Sequence, residues 1–530
     1  MTAVSYDDLV TAATVGLSHS PLPVTTLAGA AAGHEAVLAK DDQAAALLDA
    51  AALMTAARRA GVLPAAGVAV PPAAATETAA ELPAGATRLI RRLGSPQLLA
   101  DLLTEAASRG YRAPAPLLPF LLDVAARDKA LRRAVAAVLG TRGRWLAQYR
   151  PDWQQVADTG WPDQAAAGAG AAGDPAGPGV WETGSRARRH AYLAALRDRD
   201  PAAARELLAA SWAQETGPDR EVLLALLADG LSADDEAFLE QAVDDRKESV
   251  RNVALGLLAS LPDSAYQRRA AQRAASLLRL EQRGARRRLI ASPPERADAA
   301  TIRDGISPTP PEPATSVPAW LLIQAIAAAP LSEWVTAFGM DPGQIVSLRL
   351  APDGQQVIVH AGWRFAAIRQ ANAEWAQALL LAAAEPAEVR KRPPAVWPRD
   401  CDLAAVLPAG ARAARAAALL AEPVPGSDPA GEVAGCARPW PEPLADAVIT
   451  ALRRALASAA RSGHTAVTHG LTVVLSNAAG HGVPVTSGTD YAAALAELAS
   501  ADNCPPYWTT LLRKAADTAA VRRAFLEEIP

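Results

Sequence analysis

The stretch "DDRKESVRNVALGLLASLPDS", residues 244–264, constrains the fold more than any other part of the chain. At about 100° per residue, Val250, Val253, Ala254, Leu257, Leu258 and Leu261 fall within an arc of roughly 140°, and Pro262 closes the segment. A helix this short cannot bury such a face by itself, so antiparallel neighbours must stack on it. "ARDKALRRAVAAVLG" (126–140) repeats the plan: Leu131-Arg132, Val135 and Val138-Leu139 match Val250-Arg251, Ala254 and Leu257-Leu258. Asp200 before Pro201, and Ser232 with Asp235 in a capping-box arrangement, supply further helix starts. The pattern predicts a mainly α protein: a HEAT-like α-solenoid or helical array.

Four Pro-, Gly- and Ala-rich segments interrupt this text at 65–85, 162–179, 307–318 and 421–443. Their composition offers little to bury, which predicts flexible loops or linkers. The third is the expected boundary between an array over 1–306 and a mostly helical domain over 319–530. Within the latter, "QIVSLRLAPDGQQVIVHAGWRF" alternates on either side of Pro352-Asp353-Gly354, which predicts one short β-hairpin near 344–366.

With 530 residues, half of them hydrophobic, the chain has ample core material, and its formal net charge of −4 gives no global pull toward nucleic acid or anionic membranes. The count of 47 Arg against 5 Lys, beside heavy Ala use, points to coding bias before selected phosphate binding. Cys401, Cys436 and Cys504 are widely spaced and odd in number, so neither a disulfide framework nor a zinc cluster is implied. No stretch approaches the roughly 18 apolar residues of a membrane span, and Asp7 and Asp8 stand where a signal peptide needs positive charge. A cytoplasmic protein is expected, with no membrane association.

No motif for chemistry stands up to its structural requirement. "GAGAAG" (168–173) fits G-x-G-x-x-G but lacks the preceding strand and following helix that give the fingerprint meaning, and no P-loop, G-x-S-x-G or H-E-x-x-H is present. His464, His469 and His481 could ligate zinc only if the fold converged them. Trp334, Trp363 and Trp375 could form a stacking platform, although packing of helices explains them as well. No catalytic residue, cofactor or metal is expected.

The sharpest charge feature is "YQRRAAQRAASLLRLEQRGARRRL" (266–289). On a single helix, Arg268, Arg269, Arg273 and Arg279 would share one arc opposite Ala271, Ala274, Leu277 and Leu278. These four arginines are the candidate partner-binding surface. The acids of 234–245, just upstream, offer the competing reading of internal salt bridges.

Residues 181–269 resemble a bacterial family catalogued only as a domain of unknown function; "LGTRGRWLAQYRPDW" (139–153) and "LVTAATVGLSHSPLP" near the N-terminus look like two further hallmarks of it. The resemblance implies a HEAT-like, all-helical first half and offers no catalytic residues to carry over. It also implies genes lying beside those for SWIM zinc-finger proteins, MoxR-type AAA+ ATPases and von Willebrand factor A proteins. The expected function is a non-enzymatic scaffold or adaptor whose protein partner is the MoxR-type ATPase or the von Willebrand A protein. The alternative is a HEAT-like nucleic-acid-binding protein, with base-processing by a Trp and a carboxylate as its enzymatic form.

Overall fold

The structure, a computed structural model, describes residues 3–19, 26–28, 31–34, 38, 41–59, 72–157, 159, 179–184, 186–284, 286–311, 315–382, 397–424, 427–462 and 466–529. The chain divides into two compact units, Met1–Ala74 and Ala75–Pro530. Within the first, Ser5 and Asp8 form a capping box that starts the helix Tyr6–Val15. Its Leu9 and Ala12 join Leu27, Leu47 and Met54 in a small core.

The second unit is mainly α, and helix dominates each of its cores. Among the described residues of the whole chain only five short strands occur: β1 (Ala80–Glu81), β2 (Tyr111–Arg112), β3 (Leu278–Arg283), β4 (Arg286–Ala291) and β5 (Arg349–Ala351). Helices between residues 82 and 157 enclose one core around Leu103, Leu121 and Val135. A second spans Trp181 to Tyr266, a third Ala274 to Leu407, and a fourth Ala413 to Ala519. The long last helix, Pro506–Glu528, gives Trp508 and Leu512 to the fourth core, then passes Phe525 to the first, where Ile529 joins it. Asp101 and His481 meet at 2.6 Å across the same junction.

The helix in residues 244–264 runs Glu248–Ser260 and buries Val250, Ala254, Leu257 and Leu258, as its period requires. Ala259 is buried too, so the apolar arc is wider than the periodicity indicated. Arg251 reaches back to the carbonyls of Asp245 and Arg246 at 3.0 and 3.1 Å, closing the turn before its own helix. Arg132, its counterpart in the earlier copy, reaches Ala125 and Ala126 in the same manner. Asp200 accepts from the Ala203 N–H, and Ser232 with Asp235 forms the capping box.

Elsewhere the structure departs from expectation. No hairpin forms over 344–366: Asp341 and Gln344 cap the helix Pro342–Ser347, β5 follows, and Gly354, in the left-handed region, leads into the helix Gln355–Arg369. The Val-rich text looks alternating, but burial at Val359, Trp363, Ala366 and Ala367 follows the helical period, and packing decides. The hairpin is β3–β4 instead, joined through Gly284 at φ 61° and extended by β5 lying parallel to β4.

Segment 421–443, expected as a flexible loop, contains the helix Pro429–Ala434 and buries Trp440 and Cys436. In 65–85, residues 65–71 lie outside the described set, and from Ala75 onward the segment is tied down: the Thr141 hydroxyl donates to Ala75 O, Glu77 accepts from the backbone N–H groups of Thr141 and Arg142, and β1 pairs with β2. Segment 307–318 runs inside the second unit, where Ser307 and Gln324 exchange two hydrogen bonds; residues 312–314 lie outside the described set. Residues 162–178, with the "GAGAAG" motif, also lie outside it. No single described helix is long and apolar enough to cross a membrane; the bent pair Val317–Ala328 and Leu331–Phe338 passes by length and composition only and packs its Leu322, Ile326 and Trp334 into the third core.

Candidate functional site

The four candidate arginines do not form one stripe. The helix that carries three of them, Ala265–Leu277, ends where Leu278 turns extended, so Arg279 belongs to β3 and leaves the helix face altogether. The reason is local: "LRLEQR" and "RRRLIA" alternate in period 2 around a glycine, a better hairpin than helix. Arg268 is exposed and donates to the Asp263 carbonyl at the start of its own helix.

Arg269 and Arg273 are drawn inward. Arg269 donates to Asp304 and Glu240 at 2.9 Å each, and Arg273 to Asp304 at 2.6 Å. Arg303 closes the network on Glu240 and Asp244. Burial alone would raise the Asp304 carboxyl, but the hydrogen bonds from Arg269 and Arg273 outweigh it and hold the group below its ordinary range. Hydrogen bonding to Asp304, and then to Glu240, pushes the Arg269 guanidinium up. These groups bind helices to one another and are engaged before any partner arrives.

The same device recurs through residues 181–304. Arg197, with no exposed side-chain surface, donates to both oxygens of Asp235 and to the carbonyls of Pro201, Leu227, Asp229 and Gly230. Arg189 pairs with Glu215 under the Trp181 ring, and Arg220 with Asp245 beside Trp212.

Five exposed arginines lie on one face of the three-stranded sheet, while Arg287, also exposed, has the opposite parity. Its register places Leu278, Leu280, Leu289, Ala291 and Leu350 on the core side. Residues of opposite parity, Arg279, Arg283, Arg286, Arg288 and Arg349, face the other way with Glu281 as the acid among them. All five arginines are exposed. Glu281 bonds Arg288 at 2.5 Å and lies 3.5 Å from Arg283; the Arg288 hydrogen bond holds its carboxyl low. Arg279, Arg286 and Arg349 have no acid within ion-pair distance among the described residues.

Two cross-strand neighbours, Arg283 with Arg286 and Arg288 with Arg349, set like charges directly opposite one another. Such pairs disfavour the sheet. Guanidinium forks in rows fit carboxylates or phosphates, whose planar or tetrahedral oxygens they bond in pairs. The sequence displays Arg279 to Arg288 openly, but only the period-2 leucines and the central glycine signal that they share a sheet. Arg349 carries no local signal, because strand pairing brings it from far along the chain.

The other candidates dissolve into packing. Trp334, Trp363 and Trp375 form one buried aromatic cluster, with ring centroids 6.3 and 5.3 Å apart, and no described tryptophan is exposed. His481 is engaged by Asp101, whereas His464 and the side chain of His469 lie outside the described residues. Among the described residues, no three His, Cys, Asp or Glu side chains gather as a metal ion requires.

A family model matches residues 8–529, and the family is described as one of unknown function. No curated protein and no solved structure matches the chain.

Proposed function

The chain belongs to that family, DUF5691, and from this premise we propose that it is a non-enzymatic interaction scaffold in which a HEAT-like helical array carries a basic sheet face that holds an acidic region of a partner protein. The observation that carries the reading is the contrast in arginine environment. The array's Arg197, Arg269 and Arg273 are consumed by internal acids, while five exposed arginines share one sheet face with one glutamate. Keeping like charges opposed across two strands costs stability, so the face answers to something outside the fold. The Arg132 and Arg251 turn closures, alike in two copies, support the repeat character of the array.

The gene neighbourhood implied by the family resemblance makes a MoxR-type ATPase or a von Willebrand A protein the first partners to test. Each, purified, is titrated against the wild-type chain and against the triple variant Arg283→Glu, Arg286→Glu, Arg349→Glu. Binding by one of them that the variant loses, at unchanged melting temperature, is the expected result. Binding that survives the reversal places the contact elsewhere and overturns the role of the face.

The same rows of guanidinium favour one second reading, binding of nucleic-acid phosphates. Log affinity for an oligonucleotide would then fall linearly with log salt, with a slope set by the number of phosphates neutralised. Its base-processing form finds no support in the aromatic residues, since the tryptophans that would stack a base are inside.

A further inference from the structure

The outer edge of β3 is open. The strand order is β3–β4–β5, so β3 is hydrogen-bonded on one side only. The Ser292 N–H donates to Leu277 O at 2.8 Å, which fixes the alternation: residues 279, 281 and 283 bond β4, and the backbone of 278, 280 and 282 points outward. The helix end takes the Leu278 N–H through Ala274 O. Among the described residues, that leaves two N–H groups, of Leu280 and Gln282, and the carbonyls of all three without a backbone partner.

Natural sheets blunt such an edge or use it. Beside this one lies a groove of about 280 Å³ walled by Ala271, Leu280, Trp334 and Ala337, with Arg279 and Glu333 adding charge to its lining. Trp334, one of its walls, has a buried indole N–H with no hydrogen-bond acceptor among the described residues. Arg279 and Leu280 have opposite parity, so the basic face and the apolar wall of the groove fall on opposite sides of the strand plane, with Arg279 at the rim where the two meet. An added strand would meet both at once, with alternate side chains in each.

We infer that β3 is a docking edge for an extended peptide of alternating apolar and acidic residues, which adds as a further strand, sets its apolar side chains into the groove and its carboxylates against Arg279 and Arg283. The inference rests on the reading that the partner is acidic and adds how that partner is held. Backbone hydrogen bonds supply the affinity, and the two-sided pattern supplies the specificity.

The probe is a synthetic ten-residue peptide alternating valine and glutamate, titrated against the full chain at about 50 mM salt, where phosphate-type and carboxylate contacts are strong. Three comparisons accompany it: polyglutamate of equal length, the alternating peptide N-methylated on one edge, and a single-stranded oligonucleotide. The alternating peptide binds best; N-methylation of the edge that meets β3 weakens it at least tenfold, and so does filling the groove with Ala337→Trp, whose exposed site leaves the melting temperature unchanged. Bound peptide also protects the Leu280 and Gln282 amides from hydrogen exchange. If the N-methylated peptide and polyglutamate bind as well as the alternating one, strand addition is wrong while the acidic-partner reading stands. If no acidic peptide binds, both fall, and binding by the oligonucleotide alone assigns the face to phosphate.

Discussion

Arg197 and Arg283 follow similar Ala- and Leu-rich text, yet their surroundings are opposite. The first is fully enclosed and donates to six acceptor atoms; the side chain of the second is 78% exposed and has Glu281 at 3.5 Å. A charge inside a helical stack must be matched within the chain, because leaving it unpaired costs several kcal/mol. On a sheet face water serves instead, and the guanidinium stays available. The two regions show that arginine content says little about binding until each group's acid is known.

The largest effect should come from breaking the interior side. Asp235→Ala strands Arg197 and frees Arg205 of its acid, and should cost about 3–5 kcal/mol in urea unfolding. A loss below about 1 kcal/mol would mean that water reaches Arg197 and that the contrast is not one of burial.

Next in size is Arg269→Glu with Arg273→Glu. It sets two acids against Asp304 and Glu240, and about 2–3 kcal/mol should be lost, as for hydrogen bonds to charged groups. An unchanged melting temperature would return these arginines to the candidate surface.

Acid acts on the same groups. Burial would raise both the Asp304 and Asp235 carboxyls, but their arginine hydrogen bonds prevail and lower them. A depressed carboxyl contributes fully above its unfolded value of about 3.9 and loses that contribution as pH falls through the folded value. Stability should therefore drop below about pH 4, and Asp304→Asn should shrink the drop. An unchanged pH profile in that variant would show that the network is not what acid breaks.

The smallest expected effect sharpens the other side. Arg283→Glu, Arg286→Glu and Arg349→Glu should each shift stability by no more than about 0.5 kcal/mol, as exposed positions do. A loss of 2 kcal/mol from any of them would give that arginine a structural task and weaken the case for an outward-facing role.

Much of the helical text was legible, for a definite reason. Val250, Ala254, Leu257 and Leu258 repeat at the helical period, and Asp200 and Ser232 carry their caps in their own side chains. The hairpin was misplaced because β-branched residues near 357–359 imitate alternation, while arginines on both faces of the tip blur the true alternation at Leu278–Ala291. The site was half legible. Its arginines stand in plain view, but their fates depend on Asp304 and on Arg349, which arrive from distant parts of the chain. Ion pairing between helices has no local period to read.

The passage of the last helix into the first core of its unit has a consequence for synthesis. Residues 82–157 leave the ribosome long before Phe525 and Ile529, both fully buried in the core those residues build. At about 5–20 residues per second the interval is roughly 20–70 s. For that time the early helices hold an apolar gap that nothing yet made can fill. The nascent chain must wait with this surface shielded or loosely collapsed, and closure of that core falls to Phe525 and Ile529, translated well after it.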